Sequence, residues 1–154
     1  MESGWRKNLT SFFEEFTIVE TSKKETLDNF AQFCEFIAEP AFESLSEALR
    51  EYGIGSKSRI TKGKSVAMQI NFPGSRIDNF HYAIILPKNS LELKLKLEIK
   101  GRKNDRSAAE EKEEYAFMGS VGPEDILKLK KEDVIQDVIR FYRKFVLEAI
   151  TDSR

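Results

Sequence analysis

The chain has 154 residues, 40% of them apolar and 33% charged, the balance of a folded domain with a real core rather than a disordered tail. No apolar run approaches the roughly 18 residues that a bilayer span requires, and charge recurs through MESGWRKNLTSFFEEF, so no signal-peptide core is present; a cytoplasmic protein without membrane contact is expected. One cysteine and one histidine exclude an intrachain disulfide and the usual Cys/His zinc centre, and no metal or cofactor is implied.

A net charge of −1 disfavours a general nucleic-acid binder, but it hides an uneven layout. Residues 1–53 carry 5 basic and 11 acidic side chains, residues 54–106 carry 12 and 4, and residues 107–154 carry 8 and 11. A basic middle therefore lies between two acidic ends.

Residues 1–20 hold Trp5, Leu9, Phe12, Phe13 and Phe16, and are expected to fold back over the first helix. That helix is predicted from Ser22 to Tyr52. Ser22 and Glu25 form a capping box, and Gly53 stands where a C-cap belongs. Leu27, Phe30, Cys34, Ile37, Ala41, Phe42 and Leu45 share its apolar face. Pro40 falls on the outer side and predicts a kink. Glu35, Glu39, Glu43, Glu47 and Glu51 spread over the opposite face, either as a solvated surface or as a dock for a basic partner. Phe33 and Phe36 lie on the flank and outer side. Unless the N-terminal segment covers them, they form an exposed patch suited to self-association. Phe33, Phe36, Glu39, Glu43 and Glu47 are thus the candidate interface residues.

An antiparallel meander follows. A short strand near 58–61 precedes alternating runs at Val66 to Phe72, Phe80 to Leu86 and Leu91 to Ile99, separated by turn residues. Residues 112–118 are a weak further strand, with a helix from Ser107 as the competing reading. Gly122-Pro123 opens a short helix, and Glu132 to Ile150 is a second long amphipathic helix. The expected fold is one α+β domain over residues 1–154, a two-layer sandwich of four to five antiparallel strands against two long helices.

Catalytic chemistry is sparse. His81 lies within a predicted strand, without a nucleophile in view. Gly53-Ile54-Gly55-Ser56-Lys57-Ser58 follows a helix and lacks the glycine spacing of a phosphate loop. Cys34 points into an apolar face, where a thiol behaves as a small hydrophobe. The basic middle offers more. Lys57, Arg59, Lys62 and Lys64 come from the first strand and turn, Lys94, Lys96 and Lys100 from the long strand, and Arg102 and Lys103 from the loop beyond. If the polar sheet face is open, these form a positive surface for an acidic partner. Few aromatics interleave with them, which disfavours single-strand nucleic acid.

Glu98-Ile99-Lys100, with Asp78 upstream, resembles the D…ExK pattern of the PD-(D/E)xK nuclease superfamily over roughly residues 22–105. The resemblance implies a divalent metal held by Asp78 and Glu98, with Lys100 at the phosphate. The same strand carries a second match, Glu92-Leu93-Lys94. A tight turn at Lys88-Asn89 would set Asp78 opposite Ile99 on the apolar side, while Glu98 and Lys100 face the other way. The leading expectation is a non-enzymatic binding domain that engages a protein partner or a second copy of itself. The alternatives are the nuclease and a small-molecule binder with a pocket between sheet and helix.

Overall fold

A computed structural model describes residues 4–73, 80–101, 111–119 and 121–151. It is an α+β fold in which a five-stranded antiparallel sheet is covered on one face by helices. No described helix is long and apolar enough to cross a membrane.

Helix α1 (Gly4–Phe33) runs into a single π turn, Cys34–Ala38, and then into α2 (Glu39–Arg50). The Ser22 capping box therefore starts nothing, and Ser22 lies within α1. Residues 4–21 do not fold back; they extend the helix, and every one of them is exposed. A kink was expected at Pro40; the structure has a π turn just before it, at Cys34–Ala38, and Pro40 lies in the first turn of α2. There the N–H of Glu39 donates to the carbonyl of Cys34. Pro40 has no N–H to offer Phe36, and the wider turn absorbs that loss. The extra residue also resets the helical phase. Phe30 and Phe33 before it, and Phe42 and Leu45 after it, all reach the core. Phe33 is therefore a core residue, against its expected place on an outer patch, whereas Phe36 is 68% exposed. At the far end Gly53 adopts φ +73°. The N–H of Ile54 donates to the carbonyl of Leu49, and that of Gly53 to Arg50, which is the Schellman arrangement that glycine permits.

The sheet is a simple meander of β1 (Ser56–Thr61), β2 (Ser65–Ile70), β3 (Phe80–Ile85), β4 (Lys96–Gly101) and β5 (Glu111–Ala116), in spatial order β1 to β5. Residues 111–116 are strand, so the helical alternative is excluded there. Strand alternation places Val66, Met68, Ile70, Phe80, Tyr82, Ile84, Leu97 and Ile99 on the covered face, all buried. β4 begins later than the run starting at Leu91 suggests. Phe80 pairs with Gly101 and Tyr82 with Ile99, a register four residues from the one a tight turn would impose. The shift is an even number, so each side chain keeps its expected face. Leu93 and Leu95, ahead of the strand, are still buried.

Two short elements, a 3₁₀ turn at Phe117–Gly119 and α3 (Pro123–Ile126), lead to α4 (Lys131–Thr151). Val134, Val138, Phe141, Phe145 and Val146 of α4 are buried. Phe80 meets Tyr142 edge-on with ring centres 5.4 Å apart, and Phe42 meets Tyr82 at 6.2 Å. One acidic residue breaks the apolar stripe. Asp137 is buried on α4, where its carboxylate accepts a 2.5 Å hydrogen bond from the Tyr82 hydroxyl and a 2.9 Å one from Arg140. Nothing in the alternation of β3 announces that pair. Its only sequence signal is an acid spaced between Val134 and Phe141 on the apolar side of the helix.

Candidate functional site

The N-terminal half of α1 has no cover from the described remainder of the chain. Trp5, Leu9, Phe12, Phe16 and Val19 are between 37% and 61% exposed. Their spacings are four, three, four and three, so they form one straight stripe along the helix. Continued at the same period, the stripe passes Lys23 and then reaches Thr26, Phe30 and Phe33, which are buried against the body. One helical face is thus core at its C-terminal end and bare at its N-terminal end. Phe13, 56% exposed, widens the bare part, and its ring lies 5.2 Å from that of Phe12. The segment is also a poor helix former by itself. Thr10, Thr17, Ile18, Val19 and Thr21 are β-branched. The hydroxyls of Thr10, Thr17 and Thr21 each donate to the carbonyl four residues back. Such a helix gains its stability from packing rather than from propensity.

The outer sheet face is the second surface. Strand pairing sets Lys57, Gln69, His81, Lys100 and Lys112 in one cross-strand row. Arg59, Ala67, Ala83, Glu98 and Glu114 form the next, and Thr61, Ser65, Ile85, Lys96 and Ala116 the third. Every one of these positions is exposed or half-exposed. His81 sits in the first row as a half-exposed strand residue.

The positive charge on this face is not continuous. Lys96 pairs with Glu114 at 3.0 Å, and Glu114 with Lys112 at 3.4 Å; Lys112 reaches Glu98 at 3.3 Å, and Glu98 pairs with Lys100 at 3.0 Å. This ladder neutralises the β4 lysines that were expected to attract an acidic partner. Lys57 and Arg59 lie on the outer side of β1, with Lys62 and Lys64 in the following turn, all four exposed. Uncharged Gln69, Ala67 and Ala83, together with His81, separate them from the ladder. Lys94 lies before β4, paired with Glu92 at 3.3 Å. Arg102 and Lys103 lie outside the described residues.

Glu98 is the best-sheltered member, its side chain 13% exposed. Desolvation by itself would raise its carboxyl pKa. Hydrogen bonds from Lys100 and Lys112, reinforced by their charges, more than reverse that and hold it below the ordinary carboxylate value. The ionised form is favoured by folding. Its contribution is present above the unfolded pKa and is lost as pH falls through the lowered folded one. An NMR titration of Glu98 should give a midpoint below the usual carboxylate value. The Lys100→Ala/Lys112→Ala variant should move it above that value, because desolvation remains when the partners are gone.

The nuclease pattern is only half visible. Glu98 and Lys100 share the outer face, but they are bound to each other, and Asp78 lies outside the described residues. Among the described residues no group of three or more His, Cys, Asp or Glu side chains could hold a metal ion. The space between sheet and helices, where the alternative small-molecule reading would put its pocket, holds Phe30, Phe33, Phe42 and Tyr82, all buried. A cleft of about 860 Å³ opens elsewhere, where Lys23 and Leu27 of α1 pass the β1–β2 turn and Lys96, Glu98, Lys112 and Glu114 rise from the sheet. Cys34 is buried, its thiol pushed up to about 12 by desolvation and by the nearby Glu39 charge; it is not a nucleophile at neutral pH.

Of the other expected interface residues, Glu43 and Glu47 are exposed and Glu39 is half-buried. Phe36 is exposed, between the exposed Glu35 and the buried Ile37. The bare stripe of α1, by contrast, is contiguous. Comparison with protein-family models, with curated proteins and with solved structures finds no match to this chain.

Proposed function

We propose that this protein is a non-enzymatic interaction domain that associates with a second copy of itself through the N-terminal half of α1. The observation that carries this reading is the bare stripe Trp5, Leu9, Phe12, Phe16 and Val19 on a helix with no other cover among the described residues. Apolar surface of this kind is costly in water, and a helix rich in β-branched residues is marginal without packing. Burying the stripe on a partner would meet both demands. The outer sheet face then remains available beside the interface. The body serves to hold α1 at a fixed angle, through Thr26, Phe30 and Phe33.

Sedimentation across a broad concentration series tests the reading. The full chain should associate as concentration rises, and Phe12→Ser/Phe16→Ser should stay monomeric. That variant should also lose far-UV helical signal equivalent to residues 4–22, since the free segment melts without a partner, while the body remains folded. A wild-type chain that stays monomeric at every concentration refutes the proposal.

A further inference from the structure

We infer that the two copies pair through antiparallel α1 helices, with the two-fold axis passing near Glu14. This rests on the self-association reading above and adds its geometry. The stripe has the alternating four-three spacing of a coiled-coil seam. Antiparallel alignment about residue 14 sets Leu9 opposite Val19 of the second copy and Phe12 opposite its Phe16, with each pair repeated across the axis. Phe13 then meets its own counterpart at the edge of the seam. The overlap runs from Trp5 to Lys23, about 27 Å at 1.5 Å per residue. It ends where Thr26 becomes buried against the body, so the bare length is used up and no more.

Area and charge both fit this occupant. With roughly 200 Å² for a large aromatic side chain, the exposed stripe amounts to about 600 Å² of apolar surface per helix. Two such faces reach about 1,200 Å², the lower bound of a specific interface. The charges flanking the seam are self-complementary only in the antiparallel sense. Arg6 comes beside Glu20 of the second copy, twice by symmetry, and a single Glu15 pair remains to repel at the axis. Parallel, in-register pairing would instead set Glu15 against Glu20, twice, and leave Arg6 without an acid. The antiparallel register also brings Trp5 of the second copy to Lys23. An ammonium can sit over an indole ring there, beside Leu27 and the mouth of the cleft described above.

Charge exchange tests the orientation in the full chain. Arg6→Glu and Glu20→Arg lie on the exposed part of α1 and leave the body untouched. Each variant alone should associate about tenfold more weakly than wild type, because two attractive pairs become repulsive. An equimolar mixture of the two should recover the wild-type affinity. In the mixed pair the introduced glutamate faces the introduced arginine, and the native Glu20 of one copy faces the native Arg6 of the other. Tighter association of Glu20→Arg alone overturns the inference in favour of parallel pairing, where the introduced arginine would meet Glu15. Association that is abolished by Phe12→Ser/Phe16→Ser yet indifferent to both charge variants also overturns it, while leaving self-association standing. A monomeric wild type removes the underlying reading and the geometry together.

Discussion

Truncating Phe33 to alanine is expected to cost the fold about 3–5 kcal/mol, the range for removing a buried aromatic ring. The same change at Phe36 should stay within about 0.5 kcal/mol, as at most exposed positions. The two residues are three apart on one helical segment, and reasoning from an uninterrupted α-helix assigns them to the same surface patch. Phe33, however, is fully buried. Its ring stacks on Phe30 with centres 6.4 Å apart and meets Phe117 edge-on at 5.6 Å. It joins α1 to the turn after β5, so its loss opens a cavity between elements that cannot easily close. Urea unfolding of the two variants checks the contrast. Equal losses would mean that the phase reset at Cys34–Ala38 is not present in solution.

The second large effect concerns the one polar link through the core among the described residues. Asp137→Ala is expected to cost about 2–3 kcal/mol, since it orphans the buried Tyr82 hydroxyl, and Tyr82→Phe about 1–2 kcal/mol, since it removes one of the two donors to the buried Asp137 and leaves only Arg140. The double variant should cost little more than the worse single one, because removing both partners removes the penalty of the orphan. A coupling near zero would show that the short hydrogen bond contributes nothing. The pair also predicts a pH dependence. Burial raises the Tyr82 hydroxyl well above its ordinary value, and the charge and hydrogen bond of Asp137 raise it further. The neutral phenol is therefore favoured by folding. Its contribution is complete below about pH 10, the unfolded tyrosine value, and is lost as pH rises through the folded one. Alkaline destabilisation measured by denaturant melts should consequently be shallower in Tyr82→Phe than in wild type.

Periodicity of side chains was legible from the residues alone wherever it acts locally. Period two along β2, β3 and β4 identifies the buried face residue by residue, from Val66 to Ile99, because successive side chains must point to opposite sides of a strand. The C-cap at Gly53, the proline start of α3 and the apolar stripe of α4 are likewise local consequences of backbone chemistry. Alternation also states which face Glu98 occupies. It does not state which residue Glu98 meets, since parity survives a shift of four residues and pairing does not. The ion-pair ladder that neutralises Lys96 and Lys100 is a product of that register, and so is the loss of a continuous basic surface.

Three further features depend on contacts between distant parts of the chain. A single turn with one residue too many moved Phe33 into the core, and no local pattern sets a helix phase across such a turn. The Ser22 capping box is a genuine local signal, yet α1 runs through it, because a cap only stabilises an end where the chain has reason to leave the helix. Trp5, Leu9, Phe12, Phe16 and Val19 are visible in the sequence as greasy residues, and composition alone would bury them. Only the tertiary structure shows that, among the described residues, the packed body ends near Thr26 and leaves that stripe uncovered, because what a helix face touches is decided by contacts with distant parts of the chain.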